Sequence, residues 1–227
     1  MKRVILTALI LLTGVPAAWA QSALSADANR AVQISEARQA NAALMHHYTW
    51  TSRTEILDQG QVKDTRLELV HYTPFGQLQR SLLNDQSAPL PRGFLRRAIA
   101  ENERKKMEEY LTGLRGLLEQ YTLPTTGKIL DFMTTAKPMG PDASGLFSLT
   151  GSNVVSPGDS LTIWVNAATK HVARIQVNST FQGDPVQLDA TFSTLPSGLN
   201  SVAYAEATVP NKQLSVQVQN FNYSRPN

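Results

Sequence analysis

Three residues in the C-terminal half of the chain could perform hydrolytic chemistry. Asp159, Ser160 and His171 lie at the two ends of one predicted strand. A nucleophilic triad is defined by the geometry that joins its members, and nothing in the sequence orients these three together. The sequence also lacks a G-x-S-x-G nucleophile elbow, an H-E-x-x-H metal motif and a phosphate-binding glycine loop. We therefore expect turn capping and surface exposure for these side chains, and a protein that is not an enzyme.

Two other pairs could bind a metal or act as acid and base. His46 and His47 are adjacent, so on a helix their side chains point about 100° apart and do not readily chelate one ion. Glu108 and Glu109 fall on the polar side of a predicted helix, where they favour solubility. The chain contains no cysteine, which excludes disulfides, thiolate metal sites and a lipid-modified cysteine at a processed N-terminus. We expect no catalytic residue, no metal and no cofactor.

Aromatic and methionine side chains are the better candidates for ligand binding, because they offer large or adaptable apolar surfaces. Seven of them fall where strands and covering helices should meet: Trp50, Tyr72, Met107, Met133, Trp164, Phe192 and Tyr204. The same side chains are what a helix needs to pack against a sheet, and plain core packing is their commoner role. A void between the two layers would favour ligand binding.

The first elements that must position these residues are a helix and three strands. Residues 25–47 are rich in alanine and contain neither glycine nor proline, which is typical of a helix. Strands are predicted at 48–57, 62–73 and 77–84, because β-forming residues alternate there with glycine-containing turns. The sequence therefore predicts an N-terminal helix followed by hairpin-connected strands.

A long amphipathic helix follows at residues 94–121, where apolar residues recur at three- and four-residue intervals. Its opposite face carries charges of both signs and is predicted to be solvated. A shorter helix is predicted at 126–137, and the prolines of 138–141 should end it. Six strands separated by turn residues complete the chain, at 146–155, 161–166, 171–181, 185–194, 200–209 and 213–223.

Nine strands and a few helices predict an α+β fold. We expect a curved antiparallel sheet, an open half-barrel, whose apolar face is covered by the N-terminal helix and by a helical insertion at about 92–137. Strand 185–194 alternates apolar and polar residues, which indicates that the sheet has one buried and one solvent-exposed face. With 42% hydrophobic and 17% charged residues, the chain is globular in composition. Residues 21–227 have the size of a single domain.

The first 20 residues have the three parts of a secretory signal. Lys2 and Arg3 precede an apolar run at 4–12, and Ala18, Trp19 and Ala20 form an A-x-A cleavage site. Proline at position 16 interrupts the stretch before the roughly 20 apolar residues that a membrane anchor requires. We expect cleavage after Ala20, and a soluble periplasmic protein that does not span the membrane.

Removal of this signal also changes the charge balance. The 21 Lys and Arg residues fall to 19 when Lys2 and Arg3 are lost, against 18 Asp and Glu residues. A nearly neutral protein gives no support for nucleic-acid binding.

The order of these elements resembles the periplasmic lipoprotein-carrier superfamily that includes LolA, LolB and RseB. Residues 50–55, residues 72–76, and residues 161–166 followed by a turn and 172–177 carry the resemblance. It implies a hydrophobic cavity between half-barrel and helices that accepts acyl chains. Two features depart from the pattern. The chain has no cysteine for the lipobox of a LolB-like receptor, and it is too short for the two domains of an RseB-like protein.

The sequence leaves three classes of function open. The first is a carrier or binding protein for a lipid or an acylated ligand, held in an apolar cavity. The second is an envelope interaction or sensing module that binds a protein partner, with strand addition at an open sheet edge as one mode. The third is an enzyme, for which no catalytic constellation is visible. Of these three classes, we expect the first, a carrier or binding protein for a lipid or an acylated ligand.

Overall fold

The computed structural model describes residues 18–85, 94–122 and 126–225 of the chain. Most of the expected signal, residues 1–17, lies outside these ranges. Helix α1 begins at Ala18 instead of residue 25, because neither glycine nor proline interrupts the chain between them. In the described part of the chain, no helix is long and apolar enough to cross a bilayer.

The described ranges form three α-helices and ten strands. In chain order these are α1 (Ala18–Met45), β1 (Thr49–Asp58), β2 (Gln61–Tyr72), β3 (Leu78–Asp85), α2 (Phe94–Glu119), α3 (Thr126–Thr135), β4 (Lys137–Met139), β5 (Leu146–Ser152), β6 (Ser160–Asn166), β7 (Val172–Phe181), β8 (Asp184–Thr194), β9 (Asn200–Val209) and β10 (Leu214–Ser224). A 3₁₀ turn at Gln120–Thr122 continues α2, and another at Pro210–Lys212 joins β9 to β10.

All ten strands belong to one antiparallel sheet, in the order β3-β2-β1-β10-β9-β8-β7-β6-β5-β4. The C-terminal strand β10 pairs with both β1 and β9, so it joins the three N-terminal strands to the C-terminal meander. The sheet is curved and does not close, which leaves β3 and β4 as its edges. The predicted α+β fold with an open half-barrel is therefore confirmed.

The helices cover one face of the sheet, which we call the inner face. On β6 the residues Leu161, Ile163 and Val165 are buried, whereas Thr162 and Trp164 between them are more exposed. Side chains of α1, α3 and the 3₁₀ turn after α2 pack on β5, β6 and β7 in the main core. A second core cluster joins α2 to β8, β9 and β10.

One element was not predicted. The prolines of 138–141 were expected to end the preceding helix, and no strand was predicted there, but β4 pairs with β5, with Lys137 opposite Thr150 and Met139 opposite Ser148. Pro138 has no N–H to donate, and it is tolerated because β4 is an edge strand with a neighbour on one side. The prediction of nine strands was therefore wrong by this short strand.

Candidate binding cleft

A cleft of about 680 Å³ lies between α2 and the inner face of the sheet. We call it the α2 cleft. Its apolar walls are formed by Ile56, Leu111, Leu114, Leu118, Leu188, Ala205, Ala207, Val216 and Val218. Its polar lining consists of Thr54, Arg66, Glu68, Arg80, Glu108, Thr112, Arg115 and Glu119. The cleft thus combines an apolar interior with a charged border.

Small side chains opposite the helix leave this space open. On α2, the residues Leu111, Leu114 and Leu118 point toward the sheet at helical spacing. Opposite these leucines, strand β9 carries Ala205 and Ala207. The two alanine side chains fill much less of the distance between the layers than a leucine would. Interiors are otherwise packed to the density of organic crystals. The gap therefore exists because the residues of β9 that face α2 are small.

The mouth of the cleft runs between one side of α2 and the strands β2 and β3. Glu108, Thr112, Arg115 and Glu119 recur along that side of the helix at intervals of four, three and four residues, and so lie in one row. The charged members are well exposed; the Glu108 side chain, for example, retains 57% of its accessible surface. Solvent therefore reaches the cleft along this row.

Ion pairs border the mouth on the sheet side, and one contact crosses the mouth. On the sheet side, Arg80 Nη1 lies 2.8 Å from Glu68 Oε2, and Arg66 Nη2 lies 3.2 Å from Asp64 Oδ2. Arg66 also reaches across the mouth, where its Nη2 is 3.9 Å from Glu108 Oε1 on α2. The contact across the mouth is thus the longest of the three.

The C-terminal end of α2 is fixed to the sheet by a buried polar cluster. Tyr121 donates a hydrogen bond of 2.7 Å to Asp159 Oδ2, and its hydroxyl is 2.8 Å from Ser179 Oγ. The Asp159 carboxylate also accepts hydrogen bonds of 2.6 to 2.8 Å from the backbone N–H groups of residues 154–156. One carboxylate therefore orders the loop before β6 and holds the end of the helix.

Burial and hydrogen bonding shift the pKa values of this cluster in opposite directions. Burial raises the pKa of Tyr121 to about 12. Burial also opposes the ionisation of Asp159, but the hydrogen bonds from Tyr121 and from the backbone hold the pKa of its carboxyl below the ordinary value. At neutral pH the pair is therefore a neutral phenol donating to a carboxylate.

Two of the seven predicted binding residues, Trp50 and Tyr72, lie together. They lie where β1 begins and β2 ends, close to the C-terminal end of α1. The ring centroids of Trp50 and Tyr72 are 6.1 Å apart. Tyr72 stacks on His46 at 4.4 Å, and Trp50 stacks on Tyr223 at 5.9 Å. Because Trp50 is 6% exposed, these rings mainly pack on one another.

Three more of the predicted residues are dispersed along the helices and β8. Met133 on α3 packs against the main core. Phe192 on β8 is half-buried. Met107 lies in the N-terminal half of α2 and is 41% exposed. They do not form one site with Trp50 and Tyr72.

The last two predicted residues lie on the outer face, away from the helices. Trp164 alternates with buried residues of β6, and the Arg174 guanidinium carbon is 5.2 Å from the centre of its ring. Tyr204 on β9 is 38% exposed and alternates with the cleft residue Ala205. Arg174 forms a bidentate pair with Asp189 there and holds the pKa of that carboxyl below its ordinary value. Both aromatic rings thus belong to a polar surface.

Among the described residues that line the α2 cleft, none belongs to the predicted set. The prediction selected large aromatic side chains and methionines, whereas the cleft is built from aliphatic and small residues with charges at its mouth. A signal was present in the sequence, because Ala205 and Ala207 alternate on a strand that must face the leucines of the long helix. Small residues opposite a row of large ones indicate a space.

The three residues considered for hydrolysis have separate partners. Asp159 belongs to the Tyr121 cluster, Ser160 Oγ accepts a hydrogen bond of 3.3 Å from Asn178, and His171 Nδ1 is 3.2 Å from Thr194 Oγ1. Within the described ranges, no three His, Cys, Asp or Glu side chains converge on a possible metal position.

Comparison with known proteins gives one distant structural similarity. No protein-family model and no curated protein matches the sequence. A solved crystal structure of a DUF1329 family protein from Desulfovibrio piger is similar over 89% of this chain and 92% of its own, with a TM-score of 0.40 and 10% sequence identity. We therefore base the function on the geometry of the cleft.

Proposed function

We propose that the protein is a periplasmic carrier that holds an acyl chain of a lipid or acylated ligand in the α2 cleft. The observation that supports this proposal is an unfilled apolar cleft bordered by charges, lying between the sheet and a helix. Apolar pockets with a few polar groups at one end are typical of small-molecule binding sites. The signal-like first 20 residues and the LolA-like order of elements support export and a carrier role.

The size of the cleft suits one chain. Each water-sized group occupies about 30 Å³, and a methylene is similar in volume, so about 680 Å³ accommodates roughly 20 such groups. One long acyl chain fits into this space, whereas both chains of an ordinary phospholipid do not. Transfer of the chain from water contributes about 0.8 kcal/mol for each buried methylene.

We expect α2 to move away from the sheet when the chain enters. The C-terminal end of the helix is held by Tyr121, and a second contact joins Tyr110 to Phe181, whose ring centroids are 5.2 Å apart. In contrast, residues 101–109 are exposed throughout. The N-terminal half of α2 is therefore the end that we expect to swing outward when a ligand enters.

Filling the cleft tests this function. The variant Ala205→Trp places an indole in the space between β9 and α2, and should weaken palmitate binding and shift the preferred ligand to shorter chains. Exclusion of two methylenes costs about 1.6 kcal/mol, or roughly fifteenfold in Kd. The matched control Thr191→Trp lies on the outer face of the neighbouring strand and should leave binding unchanged. Equal affinity of Ala205→Trp and wild type, measured by calorimetry, would refute the proposal.

A second candidate function is binding of an envelope protein at the edge of the sheet. β3 pairs only with β2 within the described residues, and it carries Leu78, Leu82 and Leu83 at 40 to 58% exposure. Phe75 in the preceding turn is 90% exposed. An open edge with exposed apolar side chains favours strand addition by a partner. A complex that is lost in the Leu82→Lys, Leu83→Lys double variant while palmitate binding persists would favour this function.

A further inference from the structure

We propose that the ligand of the α2 cleft is a single-chain zwitterionic phospholipid, with its phosphate on the arginines and its ammonium on the glutamates of the mouth. This inference rests on the proposed binding of an acyl chain and adds the chemistry of the headgroup. Three features support it: the arrangement of charges at the mouth, the long contact between its two sides, and the volume behind it.

Charges of both signs alternate along the mouth. The sheet side carries Arg66, Glu68 and Arg80, and the helix side carries Glu108, Arg115 and Glu119. Each of these arginines lies beside a carboxylate, as in the contact of 2.8 Å between Arg80 and Glu68. Neither sign forms a continuous patch, so the mouth as a whole offers no strong field to a simple ion.

This alternation favours a ligand with two opposite charges. An anionic headgroup placed on the arginines would meet the carboxylates of Glu68 and Glu108, and a cationic headgroup on the carboxylates would meet the arginines. A phosphoethanolamine group carries its phosphate and its ammonium two carbons apart, so it can satisfy neighbouring charges of both signs. Arginine is well suited to phosphate because its planar guanidinium donates two parallel hydrogen bonds.

The long contact between Arg66 and Glu108 gives the place of insertion. Its 3.9 Å is beyond hydrogen-bond distance, and both side chains are exposed, at 41% and 57%. An exposed pair of this kind contributes little to stability, so a headgroup can separate it at small cost. A phosphate on Arg66 and an ammonium on Glu108 would replace the weak contact between these two side chains by two charge-assisted ones, while Arg66 keeps its pair with Asp64.

The volume behind the mouth limits the ligand to one chain. The cleft accommodates roughly 20 methylene-sized groups. A single palmitoyl chain fits with its ester near the mouth, which brings the headgroup to the level of Arg66 and Glu108. A lysophospholipid meets both requirements.

The test compares ligands that carry the same palmitoyl chain and different headgroups. Calorimetric titrations would use lysophosphatidylethanolamine as the zwitterion, lysophosphatidylglycerol as the anion, palmitoylcholine as the cation, and dipalmitoyl phosphatidylethanolamine as the two-chain lipid. Because exposed ion pairs contribute fractions of a kcal/mol, we expect the zwitterion to bind about fivefold more tightly than either ion. We expect the two-chain lipid to bind more weakly than the single-chain one.

Two charge variants separate the headgroup from the chain. Glu108→Gln should weaken binding of the zwitterion and strengthen binding of the anion, and Arg66→Gln should weaken the zwitterion and strengthen the cation. The control is Arg53→Gln on the outer side of β1, where Arg53 pairs with Glu55 away from the cleft. This variant should bind every ligand as the wild type does.

The outcomes distinguish this inference from the function on which it rests. If all palmitoyl ligands bind equally well, or if the two-chain lipid binds most tightly, the inference is overturned and acyl binding stands. If none of them binds, both are overturned. A preference for the zwitterion that disappears in Glu108→Gln and Arg66→Gln but persists in Arg53→Gln supports the inference.

Discussion

Removal of the Tyr121 hydroxyl should loosen the attachment of α2 to the sheet. This hydroxyl donates to the Asp159 carboxylate at 2.7 Å and lies 2.8 Å from Ser179 Oγ. Both partners are less than 10% exposed, so water does not readily replace the lost hydroxyl. Hydrogen bonds to charged groups contribute about 1.5–3 kcal/mol, and Asp159 keeps its backbone donors. We therefore expect Tyr121→Phe to lower the free energy of unfolding by about 2 kcal/mol.

The same helix provides a matched control for this substitution. The Tyr110 hydroxyl is buried and has no hydrogen-bond partner among the described residues. Its removal takes away a buried polar group that is not satisfied, so Tyr110→Phe should be neutral or slightly stabilising. The two variants delete the same atom from the same face of the fold and differ in whether that atom has a partner.

Thermal and urea unfolding of the two variants would measure this difference. For a chain of this size, 1 kcal/mol corresponds to about 2–4 °C in Tm, so Tyr121→Phe should melt about 4–8 °C below the wild type. Tyr110→Phe should melt at the wild-type temperature or above it. Equal losses in both variants, or no loss in Tyr121→Phe, would refute the role assigned to the buried cluster.

High pH gives an independent readout of the same hydroxyl. Burial raises the pKa of Tyr121 to about 12, whereas an unfolded tyrosine titrates near 10. The folded state therefore retains the proton longer, and the associated stability is complete below about pH 10 and lost as the pH rises toward 12. Tyr121→Phe should lose less stability than the wild type over this interval. A parallel loss in both proteins would contradict the assignment.

Three further substitutions test other positions of the fold. Hydrogen bonds hold the pKa of Asp159 below its ordinary value against the effect of burial, so its stabilisation is present above about pH 4 and lost as the pH falls through that lower pKa. In chemical unfolding at stepped pH, Asp159→Asn should therefore lose less stability on acidification than the wild type. Gly151→Ala should destabilise by about 1–3 kcal/mol, because a Cβ there would lie 2.7 Å from the buried Phe132 ring. Gly116→Ala on α2, where nothing lies within 4 Å of the added Cβ, should stabilise by up to about 1 kcal/mol. The reverse order of melting temperatures would contradict the packing of α3 on β5.

The fold could be predicted because its signals are local and repeated. The leucine row of α2 requires a helix facing an apolar surface, and its predicted start at residue 94 is confirmed. Alternation along β8 and turn residues between the later strands indicated an antiparallel meander with one buried face. β4 was missed because Pro138 is a turn signal in isolation, and only its position at the sheet edge permits a strand.

The cleft depends on distances that no single element determines. Its volume arises because Leu111 and Leu114 of α2 face Ala205 and Ala207 across the layers. Which side chains face each other depends on how the helix is aligned with a strand about 90 residues later in the chain. The charged mouth was also hidden, because Arg66 and Glu108 belong to different elements, β2 and α2, and only the fold brings them together. Residue type alone favoured the aromatic rings, which the structure distributes over two faces.

The most direct test of the central claim is native mass spectrometry of residues 21–227, purified from the periplasm without detergent, together with lipid extraction of the same sample. We expect a bound mass of one single-chain lipid per protein, which extracts as a phospholipid and is reduced in Ala205→Trp. A protein that shows only its own mass, and takes up no palmitoyl ligand when one is added, would contradict the account and leave the α2 cleft without an acyl ligand.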